Sequence, residues 1–173
     1  MSTLISIVHK PDDSEYVAGG DTDFRRVPLE SAELVAGRGL RGDHKAGRHP
    51  DRQVNLLSTG WLATAAAKGY RAAPGEFGEQ LIVDGIDLVA LPPGTRLQLG
   101  PAAVLEIVKG RTGCSRLEAA QGKSIAGLGP IGVLARVVSG GPIRVGDPVA
   151  VLEPAATYIY RKREWLRTQE RKN

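Results

Sequence analysis

The chain has 173 residues with 23 Lys and Arg against 19 Asp and Glu, a length that suits one hydrophobic core rather than several domains. Its single cysteine excludes an intramolecular disulfide, and with it the disulfide-stapled secreted class, so a reducing cytoplasm is the expected compartment. Residues 1–154 carry 17 basic and 17 acidic side chains while residues 155–173 carry six against two, so the positive excess lies in the tail and not on a phosphate-tracking face, and nucleic acid is not the expected partner.

The N-terminus, "MSTLISIVHKPDDSEY", lacks the basic segment and long apolar stretch of a secretory leader. No later run approaches the roughly 18 apolar residues of a membrane helix. The apolar runs are short, from "LISIV" and "ELVAG" to "QVNLL", and glycine punctuates them throughout. Residues 37–57, "GRGLRGDHKAGRHPDRQVNLL", form a glycine-rich basic loop in which Arg41, His44, Arg48 and Arg52 could donate to an oxyanion or phosphate. An ordinary solvated loop has the same composition. Asp43, His44, His49 and Asp51 also imitate a metal set, but all four sit in one short loop with no distant ligand to complete it.

"STGWLATAAAKGY" follows. Ser58 or Thr59 can cap a short helix whose i,i+4 pairs are Trp61/Ala65 and Leu62/Ala66, and Gly69 stops it. Next comes "PGEFGEQLIVDGIDL", where Gly75 and Gly78 predict a shaped turn that turns Phe77 inward to plug one end of the fold. Glu76 and Glu79 there could act as a base or an orienting carboxylate, or as ordinary surface acids. Alternation with period two marks Thr95-Arg96-Leu97-Gln98-Leu99 and Val104-Leu105-Glu106-Ile107-Val108 as strands. Val133–Val138, "SGGP" and "IRVGDPV" predict a late hairpin with its turn at the two glycines. The sum is a mainly β fold, a barrel or a sandwich. In the tail, Tyr158 with Trp165 and Ile159 with Leu166 recur at i,i+7 and predict a basic amphipathic helix over 155–173, docked on the body or on a second copy in a homodimer, the other reading being a basic helix on a membrane surface.

Cys114 stands in "KGRTGCSRLE", just beyond a strand. A free cysteine is commonly a small buried hydrophobe. Here the immediate flanks are polar, and Lys109, Arg111 and Arg116 would favour a thiolate, the nucleophilic and ligating form, if they cluster in space. The local residues leave both readings open.

In this order "GLRGDHKAG", "RQVNLL", "PGEFGEQLIVDGIDL", "PPGTRLQLGPAAVLEI", "GCSRLE" and "GVLARVVSGGPIRVGDPV" resemble the MOSC domain. That domain ends molybdenum cofactor sulfurases, occurs in mitochondrial amidoxime-reducing proteins, and exists as a stand-alone bacterial protein. The similarity runs over roughly residues 28–153. It implies a β-barrel domain over 1–154, and a cysteine, here Cys114, that ligates molybdenum or carries sulfur. Arg41, His44, Arg52, Lys109 and Arg111 are then expected around the phosphate or pterin of a molybdenum cofactor (molybdopterin), with Asp43 and Glu79 behind them. Gln80 stands where the family often has asparagine, and Gly113 where it commonly has proline. The implied activity is reduction of N-hydroxylated compounds or sulfur transfer; the other reading is a sulfur-carrier or interaction module without turnover. The pyridoxal-phosphate and iron–sulfur domains that accompany the family elsewhere do not occur in these residues, so a sulfur donor or an electron-transfer protein is the expected partner.

Overall fold

The computed structural model describes residues 1–11 and 26–152. The expected tail helix and the boundary at 154 lie outside the described residues. The described residues form eleven strands: β1 (Thr3–His9), β2 (Val27–Leu29), β3 (Ser31–Val35), β4 (Gly39–Leu40), β5 (Val54–Ser58), β6 (Leu81–Asp84), β7 (Arg96–Leu99), β8 (Ala103–Gly110), β9 (Val133–Ser139), β10 (Gly141–Arg144) and β11 (Val149–Leu152). Among the described residues two α-helices join them, α1 (Thr59–Ala67) and α2 (Ser115–Gln121).

The architecture is mainly β. An eight-stranded mixed sheet runs in the order β11-β7-β8-β9-β5-β6-β1-β2, and a three-stranded sheet in the order β10-β3-β4. Among the described residues the ladder of the large sheet has two ends, β11 and β2. Hydrogen bonds from Leu4 N to Asp147 O (2.9 Å) and from Val149 N to Ser2 O (2.9 Å) tie the start of β1 to the approach of β11.

Strand β5 is buried at every residue. It pairs antiparallel with β9 on one side and parallel with β6 on the other, and α1 supplies the crossover that a parallel pair requires. Strands β7 and β8 alternate as their period predicts, with Leu97, Leu99, Ala103, Leu105 and Ile107 inward. Helix α1 begins after Ser58, although that side chain makes no capping bond, and the chain turns away at Gly69 in a left-handed conformation.

The late hairpin does not form. Strand β10 pairs with β3, not with β9. Gly140 lies against the β3 backbone so closely that a Cβ there would sit 2.7 Å from Leu34 O. The bare α-carbon therefore lets the chain cross from one sheet into the other.

Two apolar cores result. In the larger, Leu34, Leu40 and Ile143 of the small sheet meet Leu56, Leu97, Leu105 and Val137 of the large one. The smaller lies beneath both helices and centres on Phe77, packed with Leu57, Leu62, Ile82, Leu117, Ile125 and Ile131. The ring of Trp61 meets Phe77 edge-on at 4.8 Å. Phe77 is turned inward as the glycines around it imply, with Gly75 and Gly78 both left-handed.

Candidate functional site

Three segments surround one cleft of about 690 Å³: the β4–β5 loop, the end of β8 with the residues after it, and the first turn of α2. Cys114 lies on its wall and is exposed. Six lining residues are basic, namely Lys45, Arg48, Arg52, Lys109, Arg111 and Arg116, and the lining holds no Asp or Glu among the described residues. A concave, acid-free surface of this kind concentrates anions.

Buried carboxylates behind the wall fix its shape. Asp43 accepts hydrogen bonds from Lys10 N (3.0 Å), Lys45 N (2.8 Å) and Gln80 Nε2 (3.2 Å). Gln80 Oε1 in turn accepts from Asn55 N (2.8 Å), and Asn55 Nδ2 donates to Gly78 O (3.1 Å). This chain of amides locks the basic loop onto the turn around Phe77. Glu79, fully buried, accepts from Gly75 N (2.5 Å) and Phe77 N (3.2 Å). Burial pushes its carboxyl above the usual range, partly offset by those amides and by Arg111.

The Cys114 loop is held just as firmly. Arg111 N donates to Gly132 O (2.9 Å) and Ile131 N to Arg111 O (2.6 Å). Gly113 packs so tightly that a Cβ would fall 2.0 Å from Ile125 Cδ1. The backbone carbonyl of Cys114 accepts from Leu117 N and Glu118 N, which starts α2 directly after the thiol.

Among the residues expected from sequence, Cys114, Arg52, Lys109 and Arg111 share the cleft. Asp43 and Glu79 stand behind it in the roles just described. Arg41 is not part of the lining: its Nε donates to Glu33 Oε2 at 2.7 Å on an exposed surface. His44 does not line the cleft either, and its backbone N donates to Lys10 O. Lys45 and Asn55 are additions that the sequence reading does not single out. Asn55 had a signal, one polar side chain inside the apolar run "VNLL"; Lys45 had none, because its burial comes from the turn at 75–78, whose Gly78 O accepts from Nζ at a long 3.5 Å.

Lys45 is electrostatically unusual. Burial first, then the charges of Arg111 and Arg26, lower its pKa from 10.5 to about 8, against the opposing pull of Asp43 and Glu79. Burial also lowers that of Arg111, while Glu79 and Cys114 favour its charge. Between about pH 8 and 10.5 the unfolded chain holds a proton on Lys45 that the folded one releases, so this group's contribution to stability rises with pH across that window. Urea unfolding should show Lys45→Met more stable than the parent at pH 7, with the advantage shrinking by pH 10. A difference that does not change with pH would contradict the assignment.

A family model described as MOSC domain matches residues 43–150. No curated protein matches the chain. Among solved structures, the YuaD protein from Bacillus subtilis superposes with a TM-score of 0.67 at 20% identity, covering 86% of this chain and 94% of its own. YiiM from Geobacillus stearothermophilus gives 0.66 at 20% identity over 90% and 77%, and YiiM from Escherichia coli 0.62 at 22% over 87% and 70%. Among the described residues no helix is long and apolar enough to cross a membrane.

Proposed function

The chain belongs to the MOSC domain family, and from that premise we propose that its basic cleft receives a molybdenum cofactor of the molybdopterin type, with the thiolate of Cys114 as the protein's ligand to the metal. The observation that carries this reading is the placement of the chain's single thiol, exposed, on the wall of an acid-free cationic cleft of small-molecule size.

The residues fit such a group. Among the described residues no cluster of His, Cys, Asp or Glu could hold a bare ion, so a metal at Cys114 would have to arrive with most of its ligands already attached. Thiolate is a soft ligand suited to that arrangement. Arg52, Lys109 and Arg111 would neutralise the cofactor's anionic groups, and Gly113, packed against Ile125, would keep the Cys114 loop in place beside it. Asp43 and Glu79 act from behind, orienting the Lys45 backbone and holding the 75–78 turn. When bound, the cofactor would supply two-electron redox chemistry at molybdenum. Electrons for reducing an N-hydroxylated substrate would come from an electron-transfer partner.

The exposed thiol also favours a second reading, in which Cys114 carries sulfur. Its thiolate attacks the outer sulfur of a donor persulfide, an S–S bond forms, and the donor leaves as a thiolate; no net oxidant is needed.

Protein produced in a host that makes molybdopterin tests the first reading. Molybdenum should approach one atom per chain in the parent, with pterin alongside, and Cys114→Ser should lose most of the metal. A parent without molybdenum, or a variant with as much, would overturn it.

A further inference from the structure

We propose that a second cleft, separate from the one that holds Cys114, binds a primary ammonium carried on an apolar body, with Asp84, Asp87 and Ser58 as its acceptors. The proposal does not depend on the cofactor reading.

This cleft, of about 550 Å³, opens where β5 runs into α1, and the residues after β6 close its other side. It shares no lining residue with the basic cleft. Its charge is also opposite: Asp84 and Asp87 line it, and among the described residues no Lys, Arg or His does. A bare metal ion is not the matching cation, because among the described residues no cluster of His, Cys, Asp or Glu could hold one. The volume instead lies in the range of pockets for whole organic molecules.

Each carboxylate commits one oxygen within the chain. Asp84 Oδ1 accepts from Thr59 Oγ1 beside the positive end of α1, and Asp87 Oδ1 accepts from Val89 N (3.2 Å). The second oxygen of each makes no hydrogen bond among the described residues. Ser58 is the third acceptor. It is only 4% exposed, yet its hydroxyl does not cap α1 and bonds no other group among the described residues. Along β5 it has the parity of Val54 and Leu56, so it lies on the face where Ile86 packs against the larger core. A hydroxyl buried this deeply is normally paired, and the cleft that Ser58 lines is where a partner reaches it. The neighbouring hydroxyls are already spent, Thr59 on Asp84 and Thr64 on Gly60 O (3.0 Å).

Three acceptors on one wall match the three N–H donors of a primary ammonium. Such a group gives one hydrogen bond to each and offsets the two negative charges, and bonds between ionised partners are the strong ones. Trp61 and Ile86, both partly exposed, supply the apolar part of the lining. The indole is also the aromatic surface that best attracts a cation, so the carbon body of the ligand rests against it.

Calorimetric titration of the full chain at neutral pH with phenethylamine, its trimethylated derivative, phenethyl alcohol and hydrocinnamate tests the site. Phenethylamine should bind. The trimethylated cation keeps the charge but has no N–H, and it should bind about tenfold more weakly, as should the neutral alcohol and the anion. Asp84→Asn and Asp87→Asn should each weaken phenethylamine by about tenfold, and Ser58→Ala by about threefold. Glu30→Gln, at an exposed acid between β2 and β3, should leave binding unchanged. Circular dichroism melts establish that the variants fold, and the ligand series on the parent needs no variant. No binding of phenethylamine by the parent, equal binding of the trimethylated cation, or unchanged binding by the folded Asp84 and Asp87 variants would each overturn the proposal. Molybdenum content does not enter this test, so either reading can fail alone.

Discussion

Gly132→Ala should destabilise the protein by about 3 kcal/mol or more, combining the left-handed penalty of a non-glycine residue with overpacking. Gly132 has φ +79°, and a Cβ on it would lie 2.2 Å from Leu56 O and 2.5 Å from Leu57 Cδ2. Leu56 belongs to β5, the strand flanked by β9 and β6 in the large sheet, so its carbonyl has little room to retreat. The damage would reach the cleft, because Gly132 O holds Arg111 N. Gly60→Ala is the control: Gly60 sits in α1, a Cβ added to it would meet nothing within 4 Å, and an alanine there should be neutral or slightly stabilising. Urea denaturation of the two variants distinguishes the cases, and equal midpoints would refute the packing argument.

Phe77→Ala should cost about 3–5 kcal/mol, a large part of the 5–15 kcal/mol by which a domain of this kind is stable. The ring is fully buried, edge-on to Trp61, and 6.4 Å from Tyr70. It is the largest fully buried side chain in the protein's described part, so the cavity left behind cannot collapse without moving α1 and α2. Phe77→Leu should lose much less, and its cleft should keep its shape. Equal stability of the alanine and leucine variants would show that the smaller core is looser than its geometry implies.

Much of the fold is legible in the sequence because one-sided burial writes itself as alternation. Arg96–Leu99 and Ala103–Gly110 are readable for that reason. Strand β5 alternates nowhere, since both of its faces are covered. The seven residues of α2 are too few to show a helical period; Leu117 and Gln121 alone mark its inner face. The partner of β10 is β3, more than a hundred positions earlier, and local turn signals carry no information about so distant a pairing.

The site divides in the same way. Cys114, Arg52, Lys109 and Arg111 stand out by residue type, near glycines and cations. Arg41 has the same neighbours, yet the register that sets Leu34 opposite Leu40 brings Arg41 beside Glu33. Lys45 reads as one more cation of a solvated loop until the turn at 75–78 closes over it.

Alkylation of Cys114 in the native chain, followed by intact mass, tests most directly whether this thiol faces the ligand. Protein from a host that lacks molybdopterin should take up one equivalent of iodoacetamide without unfolding, as an exposed thiol must. Protein carrying the cofactor should be protected, and protein carrying sulfur should show a mass increase that reductant removes. Equal alkylation of both preparations, with an unmodified mass in each, would contradict the assignment of Cys114 as the reactive centre.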